Sequence, residues 1–225
     1  MRATGNIVAL RRLLAERFPH TGLAPGRAKP DQSRPTGVRA LDALLGGGLP
    51  KGELTELVGA GAGSGSAQVI HALLHRVASD GQFLALVDGT DSFDVDAVEP
   101  DVLARLLWVR CVNAGEALKA ADFLLRDRNF PILVLDLKLN PGAELRKIQS
   151  SVWFRFQRLL EQNQTTFLVV TPQPLVGGAT CRVRVQSKLN LDALACTPNE
   201  ALAQLECKLL RTAKIDEGEP AAQLG

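Results

Sequence analysis

The stretch Thr55-Glu-Leu-Val-Gly-Ala-Gly-Ala-Gly-Ser-Gly-Ser-Ala67 decides the fold. A short strand, Thr55 to Val58, runs into alternating glycines, and residues 67–79 then follow a helical apolar pattern. Strand, glycine-rich turn and helix make the geometry of a phosphate site. Backbone N–H groups line the turn and the helix dipole adds positive potential. A working loop, G-x-x-x-x-G-K-[ST], also needs a lysine for the β- and γ-phosphates and a hydroxyl for Mg²⁺. Counted from Gly59, the second glycine falls on Ser64, the lysine on Gly65 and the hydroxyl on Ser66. No lysine occurs between Lys51 and Lys119, so no shift of register recovers one. The expectation is a vestigial loop of Gly59, Gly61, Gly63, Ser64, Gly65 and Ser66 that turns the chain and holds no cofactor.

Working outward, strands alternate with helices. Phe83 to Val87 is an apolar run ending in Asp88, as for a strand buried on both faces. Leu106 to Val109 reads as a strand and Gly115 to Arg126 as a helix. Pro131 to Asp136 (PILVLD) is the most apolar strand. Residues 143–162 read as one long amphipathic helix, and Thr166 to Thr171 as another buried strand. Cys181–Gln186 and Gln204–Leu210 alternate in character, which predicts an antiparallel hairpin at a sheet edge. The pattern implies an α/β fold with a mostly parallel central sheet flanked by helices and a terminal antiparallel hairpin.

Upstream, Ile7, Leu10, Leu14 and Phe18 recur at helical spacing, and Gly22 to Pro35 is rich in proline, glycine and charge. Residues 1–34 therefore read as an N-terminal helical arm and linker, 35–212 as the core and 213–225 as a flexible tail. Residues 1–51 hold nine Lys/Arg against three Asp/Glu, whereas the whole chain of 225 residues is only +2. That balance excludes a protein that coats nucleic acid. Cys111, Cys181, Cys196 and Cys207 form no C-x-x-C pair and read as reduced thiols, neither disulfide frame nor zinc site. No apolar run reaches the ~18 residues of a membrane span, and no secretory signal opens the chain, so the expected location is cytoplasmic.

The segment PTGVRALDALLGGGLPKGELTELVG (35–59) resembles the entry to the RecA ATPase core. Four further stretches match in order: Leu106–Arg110, Glu116–Arg126, Leu133–Asp136 and Leu168–Pro172. Together they resemble ImuA, the RecA-like accessory protein of bacterial mutasome cassettes, and more distantly the SulA division inhibitors. The resemblance implies that Asp136 stands where RecA proteins place the Walker B aspartate, here vestigial. It puts Thr90 where they place the catalytic glutamate, two residues after Asp88. With lysine and glutamate both replaced, the expectation is a pseudo-ATPase. The resemblance also implies DNA loops at Lys138–Ala143 and Gln173–Ala179. Both are short, and the second carries neither aromatic nor cation, which strand-binding surfaces usually combine.

Arg182, Arg184 and Lys188 alternate along one face and are the remaining candidates for weak DNA contact, beside the plainer reading of a charge-guarded edge strand. His71 and His75 stand four apart without an evident third ligand, so no metal is expected. The acidic stretch Asp91 to Asp101 lacks the pattern of a calcium loop and reads as a solvated face or docking patch. The function implied is a non-catalytic accessory role in SOS-associated translesion DNA synthesis and repair. Its partners would be RecA and an ImuB-type Y-family polymerase homologue, with Ile7, Leu10, Leu14 and Phe18 as partner-binding residues. The alternatives are a RecA/KaiC-like ATPase with a variant phosphate loop and a SulA-like inhibitor.

Overall fold

The computed structural model describes residues 32–61, 63–187 and 197–212. The expected N-terminal helix with Ile7, Leu10, Leu14 and Phe18, the candidate Lys188, and the tail 213–225 lie outside these residues.

A small antiparallel sheet pairs β1 (Ser33–Arg34) with β2 (Leu49–Pro50) around α1 (Arg39–Leu45). The turn into α1 is held by Asp42, whose carboxylate accepts the Thr36 N–H and Oγ1–H, each at 2.8 Å. Then follow β3 (Leu54–Val58), α2 (Ser66–Ser79), β4 (Leu84–Asp88), α3 (Pro100–Leu103), β5 (Leu106–Arg110) and α4 (Ala114–Asp127). The rest is β6 (Ile132–Asp136), α5 (Gly142–Leu145), α6 (Ser150–Glu161), β7 (Thr166–Thr171), β8 (Cys181–Ser187), α7 (Pro198–Ala203) and β9 (Leu205–Thr212).

Seven strands form one sheet in the order β5-β4-β6-β7-β3-β8-β9. All neighbours are parallel except β8 and β9, which make the expected antiparallel hairpin at the edge. β3, β4 and β7 are buried along their whole length, and in β4 and the middle of β7 this burial is why they read as apolar runs. One sheet face carries α1 and α2, with Leu41, Val69, Leu73, Leu86, Val134 and Val170 in its core. The other carries α4 and α6, packing Ala117, Leu125, Trp153, Phe156, Val87 and Phe167.

The structure corrects the single helix over 143–162. It is broken into α5 and α6, because residues 146–147 turn and Gln149 is extended (φ −72, ψ 143). Leu145 is buried and Ile148 packs beside it against the α4/α6 core, while the Glu144 carboxylate accepts the Ala114 N–H at 2.9 Å. Anchoring the short α5 to the start of α4 leaves no straight path into α6.

Candidate functional site

The strand–turn–helix unit sits mid-sheet, β3 entering the turn and α2 leaving it. Gly59 leaves β3 by donating its N–H to the Thr171 carbonyl at 2.9 Å. Gly65 is the N-cap of α2, with a φ of +89 that suits glycine and a carbonyl that accepts the Val69 N–H at 3.1 Å. No side chain caps this helix end. A helix N-terminus with free N–H groups would attract an anion. Here Gly59 and Gly65 are closely packed by the protein itself. Ser64 and Ser66 are buried, with their hydroxyl oxygens 3.5 Å apart. A Cβ on Gly59 would meet Ser64 Oγ at 2.5 Å. A Cβ on Gly65 would run into Leu205 of β9 and come within 3.5 Å of Ser187 in β8. The position the phosphate-binding lysine would occupy is therefore roofed by the edge hairpin. Gly61 (φ +79) and Gly63 (φ +67) have no atom within 4 Å of such a Cβ and form the outer rim of the loop.

Two carboxylates end adjacent strands in register, Asp88 of β4 beside Asp136 of β6. Asp88 is 1% exposed, and its oxygens accept the N–H groups of Thr90, Ser92 and Phe93 and the indole N–H of Trp108. Its acceptor capacity is spent on the following loop. Asp136 accepts the Lys138 N–H at 2.9 Å, and burial, followed by the nearby Asp88, raises its pKa to about 6. Thr90 lies where the resemblance puts a catalytic carboxylate. Its neighbour Asp91, at a positive φ of 58, turns away into a bidentate ion pair with Arg110, which itself lies over the Trp108 ring. That pairing holds the Asp91 carboxyl below the usual range.

The segments compared with DNA loops are both tied down. Asn140 donates to the Gly89 carbonyl at 2.9 Å. The segment after β7 is held by Glu56 of β3, which is fully buried. Glu56 accepts Thr171 Oγ1–H at 3.0 Å, the Leu175 and Val176 N–H groups at 2.6 and 3.1 Å, and the Arg182 guanidinium. Arg182 also donates to the Val176 carbonyl at 2.7 Å. Arg182 and Arg184 share a face of β8 as expected, but Arg182 is committed to Glu56, and the buried Nε of Arg184 has no hydrogen-bond partner. Sequence reasoning passed over Glu56 and Leu205. An acid inside an otherwise apolar strand was a signal for Glu56; nothing local marks Leu205. Among the described residues no cluster of three or more His, Cys, Asp or Glu is placed to hold a metal. His71 instead stacks against Phe93 with ring centroids 5.1 Å apart. No described helix is long and apolar enough to cross a membrane.

The fold defines a class: an α/β protein with a RecA-like core, in which Gly65 lies against the edge hairpin. Comparison by sequence points the same way. The chain is 36% identical over 128 residues to the RecA protein of Rhodococcus jostii strain RHA1, covering 55% of this chain and 37% of that protein. To RecA of Mycolicibacterium vanbaalenii it is 37% identical over 116 residues, 49% of this chain and 33% of the relative. To RecA of Frankia alni it is 35% identical over 126 residues, 52% and 35% of the two chains. The matched part thus spans little more than a third of these curated relatives. No protein-family model matches the chain. This distant, partial homology supports a place in the RecA-like superfamily.

Proposed function

We propose that the chain is a non-catalytic, RecA-fold accessory protein of the ImuA kind, acting in SOS-associated translesion synthesis through contacts with RecA and an ImuB-type polymerase homologue. The observation that carries the reading is the roof over Gly65. A lysine there would have to take a left-handed backbone (φ +89) and displace the Leu205 side chain that its Cβ would meet. Phosphoryl transfer depends almost entirely on positioned charge around the γ-phosphate, and lysine and glutamate are both replaced here by residues without charge. What remains is a rigid sheet with pinned loops, suited to presenting surfaces. Capture of RecA and of the polymerase homologue by the full chain, at unchanged strength with and without Mg-ATP, tests the reading. Capture that requires nucleotide, or the absence of any capture, overturns it.

A further inference from the structure

The hairpin of β8 and β9 carries different chemistry on its two faces. Val183, Val185 and Leu205, with Cys207 and Leu209 beside them, pack into the core on the side of α1 and α2. The opposite face is polar. Its cross-strand neighbours are Arg184 with Lys208, Arg182 with Arg211, and Gln186 with Glu206. Two of these three pairs set cation against cation, an arrangement that weakens a hairpin. Glu56 neutralises Arg182. Among the described residues no ion pair engages Arg184, Lys208 or Arg211, and the buried Nε of Arg184 has no hydrogen-bond partner.

Protection of an exposed edge does not account for this pattern. Such protection sits on the edge strand itself, and Lys208 and Arg211, both exposed, already supply it on β9. Arg184 lies one strand further in and is half-buried. The backbone also departs from regularity to place these charges. Pairing shifts between Val183, opposite Leu209, and Arg182, opposite Arg211, which leaves Leu210 as an extra residue in β9. That bulge turns Arg211 onto the face of Lys208, whereas residues three apart in a regular strand point to opposite faces. No described strand pairs with the outer side of β9.

We propose that this edge docks an extended, acidic segment of a partner protein, which adds to the sheet as a strand beside β9. Charge complementarity selects the occupant. Carboxylates set next to Lys208 and Arg211 give both cations an opposite charge at cross-strand distance and offset the two like-charge pairs. Side chains of an added strand alternate, so its other residues fall beside Cys207 and Leu209, half-buried on the apolar side. The segment that fits therefore alternates Asp or Glu with apolar residues, and the outward N–H and C=O groups of β9 hold its backbone. A nucleic acid fits less well. Its phosphates meet the cations, but β8 and β9 carry no aromatic side chain on which a base can stack, and the outward carbonyls and apolar flank go unmatched. The proposal goes beyond the accessory role above and does not depend on it.

Fluorescence anisotropy of the full chain with a labelled Glu-Val-Glu-Val-Glu-Val-Glu peptide tests this. Saturable binding is expected, with a dissociation constant below about 100 µM. Lys208→Glu and Arg211→Glu should each weaken it at least about tenfold. Lys208→Glu should also melt higher than the parent, because it sets a carboxylate opposite Arg184, so its loss of binding is not loss of fold. The β9 amides that do not bond to β8 should gain hydrogen-exchange protection when peptide is added. A peptide with all glutamates before all valines, and an oligothymidylate of equal charge, should each bind at least about tenfold more weakly. No saturable binding, binding that survives both charge reversals, a Lys208→Glu variant that melts lower, or a block peptide or oligonucleotide that binds as tightly, each overturns the proposal. Outer β9 amides protected without peptide put another part of this chain on the edge, and protection that rises with protein concentration alone puts a second copy there; either result also overturns it.

Discussion

Leu205, the first residue of β9, packs against Gly65, the N-cap residue of α2. The sheet edge and the phosphate turn, far apart in the chain, thus close on each other. Gly65→Lys should therefore lower stability, since it forces a bulky residue into φ +89 and against Leu205. Strain of that kind costs about 1–3 kcal/mol before any clash is counted. A urea melt should show the loss, and titration with a fluorescent ATP analogue should show no gain of binding.

The buried pair of Glu56 and Arg182 makes a second prediction. Arg182→Met leaves Glu56, fully buried, without its cation, and breaking such a pair costs about 3–5 kcal/mol. Glu56→Gln with Arg182→Met should cost markedly less than the two single changes summed. Equilibrium unfolding in a double-mutant cycle reads the coupling, and additive losses would show that the pair does not act as a unit.

Much of the fold was legible because parallel strands buried on both faces announce themselves. Leu84–Asp88 and Ile132–Asp136 are apolar up to their final aspartates, which mark where the strands leave the core, and Thr166–Thr171 is apolar between its two threonines. The lack of a lysine between Lys51 and Lys119 was equally visible. The break between α5 and α6 was not, because Leu145 and Ile148 keep a helix-like apolar spacing across it, and only the anchoring of Glu144 to Ala114 requires a turn. The β1–β2 pair was missed because its strands are two residues long. The roof over Gly65 was hidden for a different reason: a leucine starting a strand carries no mark of the distant residue it covers.

Asp136 supplies a pH prediction. Its folded pKa, about 6, lies above the ordinary carboxylate value of 3.8, so the folded state binds the extra proton between those limits. Stability from this group is present at low pH and is lost as pH rises towards and through 6. Asp136→Asn keeps an acceptor for the Lys138 N–H and removes the charge. The variant should melt higher than the parent above pH 6, and the difference should shrink below pH 4. A lower melting temperature at pH 8 would contradict the assignment.

The arm reading has its own test. A chain beginning at Gln32 retains β1, which pairs with β2, and should keep a cooperative melt. On the reading that Ile7, Leu10, Leu14 and Phe18 form the contact, it should lose RecA capture in a pull-down. Full capture by the shortened chain moves the contact to the body, beginning with the acidic stretch Asp91 to Asp101.

On the proposed function, this RecA-like core hydrolyses no ATP. Calorimetric titration of the full chain with Mg-ATP, followed by a turnover assay on the same contaminant-free sample, tests it most directly. No saturable heat and no phosphate release above the buffer are expected. Saturable binding together with turnover that Ser66→Ala abolishes would contradict it.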